Sequence, residues 1–198
     1  MPTVDEFRAA LAGAEPEEIV ERWMLVDNAV HLTAADISYI QAAVGAAYGV
    51  PFDVVQVWIT GSAKLGFSTS EKHREGKPPL PRYRPFGPAS DIDVAVVAPD
   101  IFELIWTDIS KHSHGSVYFP MKSNRLGDYL VCGWLRPDHF PKNVRLRYCD
   151  TWFDLFSRLS TNSRFKRRSV KGGLFSSKEQ LVRYLSRSVR ECIELEAI

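Results

Sequence analysis

The chain reads as an α/β protein of the α+β kind, with a small mixed sheet flanked by N- and C-terminal helices. Three observations predict this. Two short apolar runs, at 54–59 and 91–98, are bounded by turn residues and rich in Val and Ile, as strands are. Helical spacing of apolar residues dominates positions 1–50. A long apolar stripe at the same spacing, Leu181, Tyr184, Leu185, Val189, Cys192 and Leu195, closes the sequence behind a capping Ser177.

In order, residues 4–11 and 16–24 form two short helices, the second with Pro16 in the first turn, where its missing N–H costs nothing. Thr33 and Asp36 make a capping signal for a third helix carrying Ile37, Ile40, Val44, Ala47 and Tyr48, and Gly49 stops it. Val54 to Ile59 is the first strand, ending at Gly61 and Ser62. Residues 71–89 hold Pro78, Pro79, Pro81, Pro85 and Pro88 among basic residues, which predicts a mobile basic loop inserted between the two key strands. The second strand, 91–98, is apolar on both faces after an acidic start, and a helix begins at Pro99 and Asp100.

Further on, 128–135 suits either a strand or a buried helical turn. Residues 144–148 alternate and predict a strand with one basic face. Trp152, Phe156 and Leu159 fall at helical spacing, and Lys171, Gly172 and Gly173 read as a turn into a short strand. The whole is one domain, 1–198. It comprises N-terminal helices at 1–50, a core at 54–110 with the 71–89 insertion, and a basic helical region at 145–198.

A hydrophobic share of 45% with 25% charged residues is that of a soluble globular protein. The first twenty residues hold Asp5, Glu6, Arg8, Glu15, Glu17 and Glu18, so they do not read as a signal peptide, and no apolar run is long enough to span a bilayer. Cys132, Cys149 and Cys192 are odd in number and far apart. They read as reduced thiols of a cytoplasmic protein rather than as a zinc site. Charge is unevenly placed: residues 1–60 are acidic, whereas 158–190 carry ten basic residues against Glu179 alone. That layout suits either acidic and basic parts of one molecule facing each other or a basic face for a polyanion.

The chemistry points to Gly61 and Ser62 at one strand end and to Asp91 and Asp93 at the start of the next. Two residues apart on a strand, both carboxylates project from one face while Ile92, Val94 and Val96 face the other. Adjacent carboxylates repel and call for a cation between them, and oxygen donors of this kind suit Mg²⁺ or Mn²⁺ together with substrate phosphates. His112 and His114 lack nearby acids or thiols and read as surface; Lys171 to Gly173 lacks the spacing of a P-loop. Arg164 to Arg168 with Phe165 is either a solvated loop or a grip on nucleic-acid phosphates.

Taken together, the ordered set Gly61, Ser62, then Asp91-Ile92-Asp93-Val94 resembles the signature of the DNA polymerase β-like nucleotidyltransferase superfamily, over residues 54–109. The 171–189 segment weakly resembles small nucleotidyltransferase-like proteins found beside bacterial defence or toxin–antitoxin genes. The resemblance implies a Mg²⁺-dependent enzyme moving NMP from an NTP to a hydroxyl of a protein, an RNA or a small molecule. It also allows a catalytically weak or inactive nucleotide-sensing or protein-binding component of an antiviral defence or toxin–antitoxin pair. Gly61 would let the backbone approach the phosphates, and Ser62 would donate to the β- or γ-phosphate. Lys64 would reach the triphosphate, while Asp91 and Asp93 would hold one or two Mg²⁺ ions. Active members usually carry a third carboxylate on a neighbouring strand, for which Asp150 leads, with Asp138 and Asp154 as alternatives. The segment between Ser62 and Asp91 is longer than the family's usual link. It is either a lid carrying Lys72, Arg74, Lys77, Arg82 and Arg84 or a disordered insertion.

Overall fold

Strand β4 (Ile92–Val97) organises the molecule, with every residue buried except Asp93, which is half-buried. The computed structural model describes residues 3–26, 29–74, 76–115, 123–137, 140 and 144–196. On one side β4 pairs antiparallel with β1 (Gln56–Thr60), setting Thr60 opposite Asp93. On the other it pairs parallel with β6 (Val170–Phe175), setting Lys171 opposite Asp93. The short β5 (Trp134–Leu135) closes the far edge, giving the order β1-β4-β6-β5. The mixed α/β class read from the sequence is the class observed.

Both faces of the sheet are covered, which is why β4 is a nearly unbroken apolar run. Ile92, Val94 and Val96 pack with Val57, Ile59 and Leu174 beneath α3 (Ala34–Tyr48), α5 (Pro99–Gly115) and α7 (Arg147–Thr161). Ala95, Val97 and Phe175 face α1 (Val4–Leu11), α2 (Pro16–Ile19), the π-helical turn Val20–Met24 and α8 (Lys178–Glu196). The pleat therefore assigns Asp91 and Asp93 to the α8 side. Local signals hold: Thr33 and Asp36 form a capping box, and Gly49 ends α3 in the left-handed region at φ 68°.

Five readings need correction. Residues 71–89 contain a folded hairpin, β2 (Lys72–Arg74) with β3 (Lys77–Leu80). Pro78 and Pro79 are tolerated because each strand of a two-stranded ribbon is an edge. The insertion is fastened further where Ser68 N–H donates to Arg84 O at 3.0 Å and Arg82 pairs with Glu191 of α8 at 2.9 Å. The alternating run at 144–148 is no strand: Leu146 is an extended N-cap and α7 starts at Arg147, burying Cys149, Trp152 and Phe156 on one face. Residues 128–135 divide between α6 (Ser123–Val131) and β5. His112 and His114 lie in the last turn of α5 rather than in a loop, where His114 Nδ1 meets Ser110 O at 2.8 Å.

The fifth matters most. Lys171, Gly172 and Gly173 are no turn but the body of the inner strand β6. Gly172 sits there because the ring of Phe156 occupies the space a Cβ would need, its Cε atoms lying 2.6 and 2.7 Å from that position.

Candidate functional site

The chain from β1 turns sharply at Gly61 (φ 60°) into α4 (Gly61–Leu65). That left-handed conformation suits glycine, and the turn passes so close to β4 that an added Cβ would stand 3.0 Å from Asp93 Oδ2. The backbone of Gly61 thus abuts the inner carboxylate of the pair. At one turn long, α4 offers little helix dipole, so an anion here would rely on individual amides and the Ser62 hydroxyl.

Around this junction runs a cleft with two lobes that share Gly61, Thr69, Ser70, Asp93, Arg136 and Lys171. One lobe, about 360 Å³, has an aromatic and aliphatic floor from Trp134, Phe175, Leu181 and Tyr184. Tyr184 packs on Trp134 with ring centroids 4.9 Å apart. The other lobe, about 630 Å³, lies between the insertion (Lys72, Leu80, Arg84) and the approach to β4 (Pro88, Ser90, Asp91), with Ser62 at its wall. A pocket with an aromatic floor thus opens beside a larger, more polar one.

Electrostatics centre on Asp93. Burial pushes its carboxyl above the ordinary aspartate range and the charge of Asp91 adds to that, while Lys171, Arg136 and Lys72 pull it back. Tyr184 is raised too, first by burial and then by Asp93. Asp91 is held by Lys171, whose ammonium donates directly to Asp91 Oδ2. The approach to β4 is pinned by Arg168, which lies 4.7 Å over the Phe86 ring and donates to the carbonyls of Gly87, Pro88 and Ser90.

Of the five site residues read from the sequence, Gly61, Ser62, Asp91 and Asp93 line one cleft. Lys64 does not. It is buried, donates to the carbonyl of Val26 and lines neither lobe of the cleft. The alternation of short helix turns explains this, since a residue two positions past Ser62 faces the opposite side. The candidate third acids are not brought in either: Asp150 lies in the first turn of α7, 3.6 Å from Arg145, Asp154 is exposed on α7, and Asp138 lies outside the described residues. Arg82 and Arg84 of the insertion are used structurally, Arg84 donating to Ser70 O and Pro81 O at 2.9 Å each.

On the strand beside the paired acids, Lys171 stands opposite Asp93. Sequence reasoning missed Lys171 because the two glycines after it read as a turn. No family model, curated protein or solved structure matches this chain. Among the described residues no group of three His, Cys, Asp or Glu side chains comes together as a metal site. Two carboxylates on one face, with phosphate oxygens to complete the shell, still fit a single Mg²⁺.

Proposed function

We propose that the cleft binds a nucleoside triphosphate with Mg²⁺ and that the protein transfers NMP to a hydroxyl acceptor. The observation that carries this reading is the contact between the Gly61 turn and Asp93, with Asp91 beside it on the same face. The backbone there can approach a phosphate chain closely, and the paired carboxylates supply hard oxygen donors. The aromatic lobe would take the base against Trp134 and Tyr184.

In the transfer, the acceptor oxygen forms a bond to the α-phosphorus while the bond to the β-bridging oxygen breaks, releasing pyrophosphate. A bound Mg²⁺ would neutralise charge on the phosphates. Ser62 would donate to the outgoing phosphates, and Arg136 and Lys171 would offset the charge left on them. Asp93, whose carboxyl burial pushes above the ordinary aspartate range, would accept the acceptor's proton.

A second reading is a nucleotide-sensing protein with little or no turnover, acting with a partner protein of a defence or toxin–antitoxin pair. The Lys171 and Asp91 ion pair favours it, because that pair ties up one of the two carboxylates a fully competent metal site would use. The test is incubation with α-labelled NTPs and Mg²⁺ or Mn²⁺, comparing wild type with the Asp91→Ala/Asp93→Ala double variant. Label transfer or pyrophosphate release that disappears in the double variant supports transfer. Saturable NTP binding without release supports the sensor, and no NTP binding at all overturns both.

A further inference from the structure

We propose that Lys171 is a built-in cation of the cleft, standing in for the second metal ion, so that the site takes a triphosphate with a single divalent cation. This rests on the nucleotide reading above. Four observations lead to it. Parallel pairing places Lys171 directly opposite Asp93, so both side chains leave the same face of adjacent strands. Its ammonium contacts Asp91 Oδ2. Among the charges that favour the Asp93 carboxylate it is the foremost, ahead of Arg136 and Lys72. It also lines both lobes of the cleft, the apolar one and the polar one.

Charge balance makes the substitution coherent. Three carboxylates with two divalent ions present a net formal charge of plus one to a triphosphate. Two carboxylates, one ammonium and one divalent ion present the same. A second divalent ion added to the present site would instead sit against Lys171, and its repulsion would weaken binding.

The ion pair is not explained by stability. The side chains of Lys171 and Asp91 are 41% and 26% exposed, and pairs open to water contribute little to stability. Lysine is a compact charge on a flexible stem with three donors. It can therefore hold Asp91 in the free protein and turn to a phosphate oxygen when the nucleotide arrives, releasing Asp91 to the single metal ion.

The experiment counts bound Mn²⁺ by electron paramagnetic resonance of the free ion. The probes are α,β-methylene triphosphates of each base, which cannot release pyrophosphate. Wild type is expected to bind one Mn²⁺ per chain with the nucleotide. Lys171→Met is expected to lose nucleotide affinity at least tenfold, and Lys171→Arg to keep both affinity and the single ion. Lys171→Asp is expected to bind two Mn²⁺ per nucleotide. Thermal melts of each variant separate these effects from misfolding, and the wild-type ion count stands whatever the variants do. Two Mn²⁺ in wild type would overturn the proposal while leaving the nucleotide reading intact, as would Lys171→Met binding nucleotide as tightly as wild type. Absence of any triphosphate binding would overturn the nucleotide reading itself, and this inference with it.

Discussion

Replacing Gly172 by alanine tests the packing that sets the register of β6. An ideal Cβ there would lie 2.6 and 2.7 Å from the Cε atoms of Phe156 and closer still to Cζ. Ordinary carbon contacts begin at about 3.5 Å, so ring and strand must separate by roughly an ångström. The ring has nowhere to go: Phe156 is 4% exposed and packs on Trp152 with centroids 4.7 Å apart. Overpacking of this kind costs about 1–3 kcal/mol. Relief of glycine's backbone entropy returns only about 0.5–1 kcal/mol. Contacts below 3.0 Å put the cost in the upper half of that range, so the net loss is about 1–2.5 kcal/mol, which at about 2–4 °C per kcal/mol for a chain of this size lowers Tm by about 2–10 °C. Differential scanning calorimetry measures it, with Phe156→Leu as the second arm of a double-mutant cycle. Once the ring is gone, Gly172→Ala should be neutral or slightly stabilising. An equal loss in both backgrounds, or none in the wild-type background, would refute the idea that Phe156 dictates the glycine.

Two further outcomes are expected. Asp93→Asn should raise the Tm of the nucleotide-free protein at neutral pH. The folded-state pKa of Asp93 lies above its unfolded value, so ionisation costs stability above the folded pKa, and that cost disappears below the unfolded one. The difference between variant and wild type should shrink as pH falls through that window, and Mn²⁺ binding by wild type should be lost over the same range, above the usual aspartate midpoint of about 3.9. Lys64→Met should lower stability by about 1–3 kcal/mol, since the Val26 carbonyl loses a donor, while triphosphate affinity measured by calorimetry stays within about twofold. A tenfold affinity loss would restore Lys64 to the site.

The local grammar of the chain was legible: capping at Thr33, the stop at Gly49 and the two faces of β4 all follow from spacing, whereas the meeting of Gly61 with Asp93 was expected from the resemblance. What was not legible depends on distant partners. Gly172 and Gly173 read as a turn because their strand identity is imposed by Phe156 and Trp134, residues no local window contains. The 144–148 run alternates, yet burial of Cys149 and Trp152 draws its end into a helix. The insertion read as loose because neither its hairpin nor the hold of Glu191 on Arg82 leaves a periodic trace. Of the site, both carboxylates and the turn were visible, whereas the lysine opposite Asp93 became visible only with the register of β6.

The cleft gathers Gly61, Asp93, Lys171 and Tyr184 from four stretches of chain that share no local contacts in sequence. Anything seated there acts as a staple across the full contact map, holding the first strand, the central one, the last one and the terminal helix in one place. Occupancy at about a hundred times Kd adds roughly 2.7 kcal/mol to the resistance of the entire molecule against unfolding. A melting screen with triphosphates of the four bases therefore tests the proposed nucleotide site, and ranks the bases if it binds them, even if no turnover is ever detected.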